Sequence, residues 1–173
     1  MLVSIGKSRR SGELVALLLE CHGRIRQFAE LARETGRRRD LPAPEVVTGC
    51  ERIERYFVEA LPLHVRDEED SILPRLRGRS EALDRALARM QHEHREHEPV
   101  LAELLSACER VRQAPRDAAG LLELSQVAER LTHAFLPHLE LEESLIFPAV
   151  REVLTEAERA SIVSELRARR QSS

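Results

Sequence analysis

Histidines and the carboxylates near them are the residues of this 173-residue sequence with chemistry to offer. One stretch reads His138-Leu-Glu-Leu-Glu142-Glu143-Ser144-Leu145-Ile146-Phe147-Pro148. An earlier one reads His64-Val-Arg-Asp-Glu68-Glu69-Asp70-Ser71-Ile72-Leu73-Pro74. Both are H-x-x-x-E-E-x-x-I-x-P. On an α-helix, positions i and i+4 lie about 40° apart, so each histidine shares a face with its first glutamate. Glu69 and Glu143 fall about 140° from their histidines and are expected to face water. A charge-rich helix throws up one HxxxE often, but two copies with the same tail carry more weight.

Further histidines lie on apolar seams. His94 and His97 sit in the series Leu83, Leu87, Met90, His94, His97, Leu101, Leu104, Cys108, whose steps alternate four and three. That is the pattern of a bundle helix facing its core. His22 lies among Leu14, Leu18, Ile25 and Ala29 on an earlier helix. His92 and His133 fall on outer faces. Two ionised glutamates and four imidazoles converging in an apolar interior are costly unless paired or bound to a metal. A lone histidine such as His22 is more often a packed core residue; the joint set carries the metal reading.

Each hairpin of helices supplies two histidines and one carboxylate, the donor count of the facial arrangement that holds non-haem Fe(II). Two such halves, His22, His64 and Glu68 against His94, His138 and Glu142, make a dinuclear site with the glutamates bridging. His97 is either a seventh ligand, making the two metals unequal, or a neighbour that packs and orients a ligand. Two iron ions are preferred, and zinc, manganese or copper suit the same nitrogen and oxygen donors.

The elements that must position these groups are long helices. The spacing predicts helices over about 12–34, 45–77, 81–113, 117–153 and 155–169. Gly36 followed by Pro42 and Pro44 closes the first. Ser80 and Asp117 are expected caps, and Thr155 with Glu158 forms a capping box. Kinks are expected at Pro62, Pro99 and Pro137. The fold expected is all-α: an up-down-up-down four-helix bundle over 12–153. A loose tail over 1–11 precedes it, and a short C-terminal helix and tail over 154–173 follows. Ile162, Val163 and Leu166 on that last helix can dock on the bundle or on a second copy in a homodimer. The separations His22 to His94 and His64 to His138, 72 and 74 residues, hint at an internal duplication.

Composition narrows the function. Charged residues are 33% and aromatic residues 3%, with a net charge of −3, so no basic field invites nucleic acid. No apolar run is long enough for a membrane span. The short run after Lys7, Arg9 and Arg10 is broken by Glu20, unlike a signal peptide. Cys21, Cys50 and Cys108 read as reduced thiols of a cytoplasmic protein, with redox sensing by Cys21 as an alternative.

The pattern resembles the hemerythrin-like, or HHE cation-binding, domain. The resemblance rests on Glu20-Cys21-His22 with Ile25-Arg26, His64-x-x-x-Glu68, His94, and His138-x-x-x-Glu142 with its Ile-Phe-Pro tail. It implies a non-haem di-iron centre with terminal histidines and bridging glutamates. Oxygen carriers of that family have HxxxH on the third helix, where this chain has His94 and Glu98, and an aspartate where it has Glu143. The resemblance therefore points to the bacterial HHE proteins of oxygen or nitric oxide sensing, iron handling and stress defence. The expected partner is a diatomic ligand or peroxide. A di-iron enzyme (peroxidase, NO scavenger or iron donor) and a metal-independent helical interaction module remain alternatives.

Overall fold

The computed structural model describes residues 13–171, so the tail expected over 1–11 lies outside the described residues. The described chain is helical, with no strand among the described residues. Helix α1 is Glu13–Arg37, α2 runs over 43–76, α3 is Glu81–Gln113, α4 runs over 118–153, and α5 is Glu156–Gln171. Short turns make consecutive helices antiparallel. Contacts run α1–α2, α2–α3, α3–α4 and α4–α1, which closes an up-down-up-down ring.

The caps are those the residue types favour. Ser80 Oγ accepts from the Leu83 amide at 3.2 Å, and Asp117 Oδ2 accepts from the Gly120 amide at 2.8 Å. Thr155 Oγ1 accepts from the Glu158 amide while Glu158 Oε2 accepts from the Thr155 amide, a reciprocal capping box.

Gly36 does a different job from the helix stop expected of it. α1 continues through it to Arg37. A Cβ at this position would meet Ser125 N at 2.5 Å and Leu121 O at 2.6 Å, so the missing side chain lets α1 approach the α4 backbone.

The prolines fall into two groups. α3 runs unbroken through Pro99, and the first part of α4 through Pro137. Three π turns instead precede Pro62, Pro74 and Pro148: Tyr56–Ala60 and Asp67–Ile72 in α2, and Glu142–Ile146 in α4. In each, the residue before the proline donates its N–H five residues back: Leu61 to Tyr56, Leu73 to Glu68, Phe147 to Glu142. Proline lacks an N–H and crowds the preceding turn, and a widened turn accommodates both defects.

The interior is two apolar bodies separated by a polar layer. One body includes Ile25, Ile53, Phe57, Leu61, Leu104, Leu131 and Phe135. The other includes Leu18, Ile72, Met90, Ile146, Phe147 and, from α5, Ile162, Val163 and Leu166. The apolar face of α5 is thus buried on its own bundle. Along α1, α2 and α4 the residues that divide the two bodies are His22, His64 with Glu68, and His138 with Glu142.

Candidate metal centre

All six residues of the expected set meet in that layer. His22, His64, Glu68 and Glu142 can each offer one donor atom so that all lie within 4.8 Å of one another. Glu68, His94, His138 and Glu142 do the same. The two glutamates belong to both groups. Glu68 Oε1 lies 3.3 Å from His64 Nε2 and 3.9 Å from His22 Nε2, while its Oε2 lies 3.3 Å from His94 Nε2. Glu142 Oε2 lies 3.0 Å from His22 Nε2, and its Oε1 lies 3.1 Å from His138 Nε2 and 3.9 Å from His94 Nε2. Each carboxylate therefore turns one oxygen to each pair of histidines.

These close approaches are not a satisfied hydrogen-bond network. Among the described residues, the buried side-chain atoms without a hydrogen-bond partner are His22 Nε2, both His64 nitrogens, His94 Nε2, all four Glu68 and Glu142 oxygens, and Arg159 Nε. Apart from the last, every one belongs to the layer. Buried polar groups are almost always paired, so a convergence of orphans fits an added cation. The donor set, imidazole and carboxylate without thiolate, suits a transition metal.

The outward edges of the rings are anchored. His22 Nδ1 donates to Glu143 at 2.8 Å, His94 Nδ1 to Glu69 at 2.8 Å, and His138 Nδ1 to Glu93 at 3.1 Å. Arg26 holds Glu143 at 2.8 Å, and Arg89 holds Glu93 at 2.7 Å. An acceptor-only carboxylate keeps a proton on Nδ1, so Nε2 is the nitrogen that can give up its proton and offer a lone pair to a cation in the layer. Glu69 and Glu143 were expected in water, yet their side chains are only 30% and 29% exposed. Both lie in the π turns that carry Glu68 and Glu142, where i→i+5 bonding widens the turn and shifts residues off the ideal α-helical angle. The second glutamate of each doublet was the available signal. Glu93, next to His94, carried none.

His97 lies outside both donor groups. Its Nε2 donates to the Ala134 carbonyl at 3.1 Å, and its ring stacks on Phe135 with centroids 4.2 Å apart. It touches His138 edge to face at 5.0 Å. Each of the two donor groups thus contains two histidines. His92 is exposed and pairs with Glu96.

Electrostatics describe what the layer does with no cation. Burial opposes charge on His22, but Glu142 and Glu68 outweigh it and raise its pKa to about 10. Burial likewise opposes charge on His94, but Glu68, with Glu69 and Glu142, outweighs it and raises its pKa to about 9. Burial keeps His64 and His138 neutral, the latter lowered to about 4. For Glu142, burial and then repulsion from Glu68 push the pKa up to about 8. Glu68 stays well below the usual range: burial works against its charge, and His64, His22 and His94 outweigh it. Protons stand where cations would neutralise the carboxylates.

A cavity of about 30 Å³ borders His64, His94 and His138 and is otherwise lined by Leu61, Leu101, His97 and Phe135 among others. That suits a molecule near the size of water. A larger hollow of about 410 Å³ beside Thr35, Thr48 and Arg52 shares no residue with the layer.

The hemerythrin HHE cation-binding domain model matches residues 13–150. The chain belongs to this family. No curated relative matches it. Buried His/Glu clusters inside an HHE domain fit a metal-binding protein. No helix among the described residues is long and apolar enough to cross a membrane.

Proposed function

We propose that this HHE domain holds two non-haem iron ions, one per pair of histidines, and binds or senses O₂, NO or peroxide, or handles iron. The observation that carries the reading is the split aim of Glu68 and Glu142, one oxygen to each pair. His22 and His64 would hold one ion, His94 and His138 the other, and both glutamates would bridge. Bound iron supplies redox chemistry and open positions for a small ligand.

The chain's own residues do the rest. Glu143, Glu69 and Glu93 keep three imidazoles turned inward. The apolar bodies on either side of the layer exclude bulk water. The cavity at His64, His94 and His138 admits only a very small molecule, which supports a diatomic or peroxide over a larger substrate. The three cysteines are free thiols, in keeping with a reducing, cytoplasmic setting.

The test is anaerobic loading with Fe(II), metal analysis, and absorption spectra before and after O₂ or NO. Two irons per chain and a ligand-to-metal charge-transfer band are expected. Less than about one iron per chain, with no such band, overturns the reading. Catalytic turnover of peroxide or NO by the loaded protein would make the centre an enzyme. Melting unchanged by His64→Ala with His138→Ala, in protein that takes up no metal, would favour a metal-independent module.

A further inference from the structure

The two copies of the motif differ at the positions that α5 touches. Aligned on their histidines, Asp67, Ser71 and Arg75 of the first copy stand where the second has Leu141, Leu145 and Ala149. Asp67 is fully buried, immediately before Glu68. Arg169 Nη1 donates to its Oδ1 at 2.8 Å and Arg170 Nη2 to its Oδ2 at 2.6 Å. Ser71 donates to Glu165 and accepts from Arg169, both at 2.6 Å. Arg75 reaches Glu165 at 2.6 Å. Every one of these contacts joins α5 to the π turn that carries Glu68, or to the helical turn just beyond it. Arg170 also lies 4.0 Å from Cys21 Sγ, beside His22.

The HHE match ends at residue 150, so α5 lies beyond the matched domain. A π turn has a poorer standing of its own than an α turn and persists where its surroundings hold it. In the turn carrying Glu142, Leu141 is partly buried against the apolar body, Ile146 is buried in it, and Leu145 is exposed, so no charge there calls for a partner. The turn carrying Glu68 has a buried acid in the same place, and a buried acid demands cations. Those cations come from α5.

We propose that α5 is a clasp for Glu68: by holding Asp67 and Ser71 it fixes the aim of the bridging carboxylate, so that metal occupancy and α5 docking are coupled. The proposal rests on the metal reading above. Coupling is reciprocal: whatever factor α5 docking adds to metal affinity, bound metal adds to α5 docking. α5 is then the element through which metal loss changes the protein's outer surface.

The experiment uses the full chain and Fe(II) under anaerobic conditions, with a chelator as competitor. It compares wild type, the Arg169→Ala/Arg170→Ala double variant, Arg170→Lys, and Arg79→Ala. The last removes the Arg79–Glu158 contact at the other end of α5 and a bond to the Arg75 backbone carbonyl, and leaves Asp67, Ser71 and the Arg75 side chain with their α5 partners. Expected is an affinity for Fe(II) at least about tenfold weaker in the double variant, a smaller loss in Arg170→Lys, and none in Arg79→Ala. Hydrogen exchange over 161–171 should slow on Fe(II) binding in wild type and not in the double variant. Equal affinities overturn the clasp while leaving the metal reading intact. Wild type that takes up no Fe(II) overturns both. Should the double variant fail to fold, wild-type exchange decides: α5 amides indifferent to Fe(II) overturn the coupling.

Discussion

The two copies of H-x-x-x-E-E-x-x-I-x-P present the same residues to the layer and sit in different surroundings. In the second copy, His138 is anchored on Nδ1 by Glu93, and its glutamate rides on a π turn packed in apolar contact. In the first, His64 Nδ1 is buried with no partner, and the π turn is held from outside by the arginines of α5. Across the layer, His94 and His22 each have a carboxylate. So three of the four imidazoles are strengthened as donors and one is not. The set of inward donors is near-symmetric and its support is not, because the two copies of the motif meet different neighbours on their outer sides.

The largest expected effect removes what the halves share. Glu142→Ala or Glu68→Ala should drop iron content from about two per chain to well below one, since each carboxylate turns one oxygen to each pair of histidines. Loss of only one ion by either variant, seen in metal analysis, would break the bridging symmetry.

Next come the outer carboxylates. Glu69→Gln and Glu93→Gln should each weaken metal binding by roughly 10- to 100-fold through His94 and His138. Glu143→Gln should do the same through His22. Chelator competition on the separate variants reads out which half yields first. The half containing the unanchored His64 should empty first in wild type.

Acidity sharpens the contrast within each half. At neutral pH His22 and His94 are charged and Glu142 is protonated, whereas His64 and His138 are already neutral. Loading at pH 7 should therefore release about three protons per chain, measurable in weakly buffered solution, and affinity should rise with pH. The metal-free protein runs the other way. His22 and His94 bind protons more tightly folded than unfolded, so their stabilisation is complete below about pH 6.5 and is lost as pH rises towards 9 or 10. Glu142 acts in the same direction between about 4.5 and 8. His138 has the opposite sign and weakens the fold as pH falls from about 6.5 towards 4. Melting curves of metal-free protein should fall between pH 6.5 and 9, and those of the loaded protein should not.

The smallest effect belongs to His97. His97→Phe should leave iron content unchanged and alter only the environment of the cavity, because its Nε2 faces the Ala134 carbonyl. Loss of an ion would restore a three-and-two arrangement.

Much of this was legible in the residues alone. The seam of α3 predicted its bounds, and capping residues marked the starts of three helices, because caps and apolar periodicity are local effects. The six-residue set was legible because helical spacing puts i and i+4 on one face. Gly36 misled, since a glycine that lets another helix come close looks like one that ends a helix. Which prolines follow a widened turn was not legible: Pro62, Pro74 and Pro148 do, whereas α3 and α4 run on through Pro99 and Pro137.

By itself, then, the sequence determined which side chains line each helix's inner face, and that inward carboxylates and imidazoles needed a cation. Only the tertiary structure decided which oxygen faces which half, that His97 turns to a backbone carbonyl, that Glu69, Glu93 and Glu143 grip the rings of neighbouring helices, and that α5 closes over Asp67. Periodicity is a property of one rod. The direction of a ring nitrogen or a carboxylate oxygen is set by groups far away in the chain.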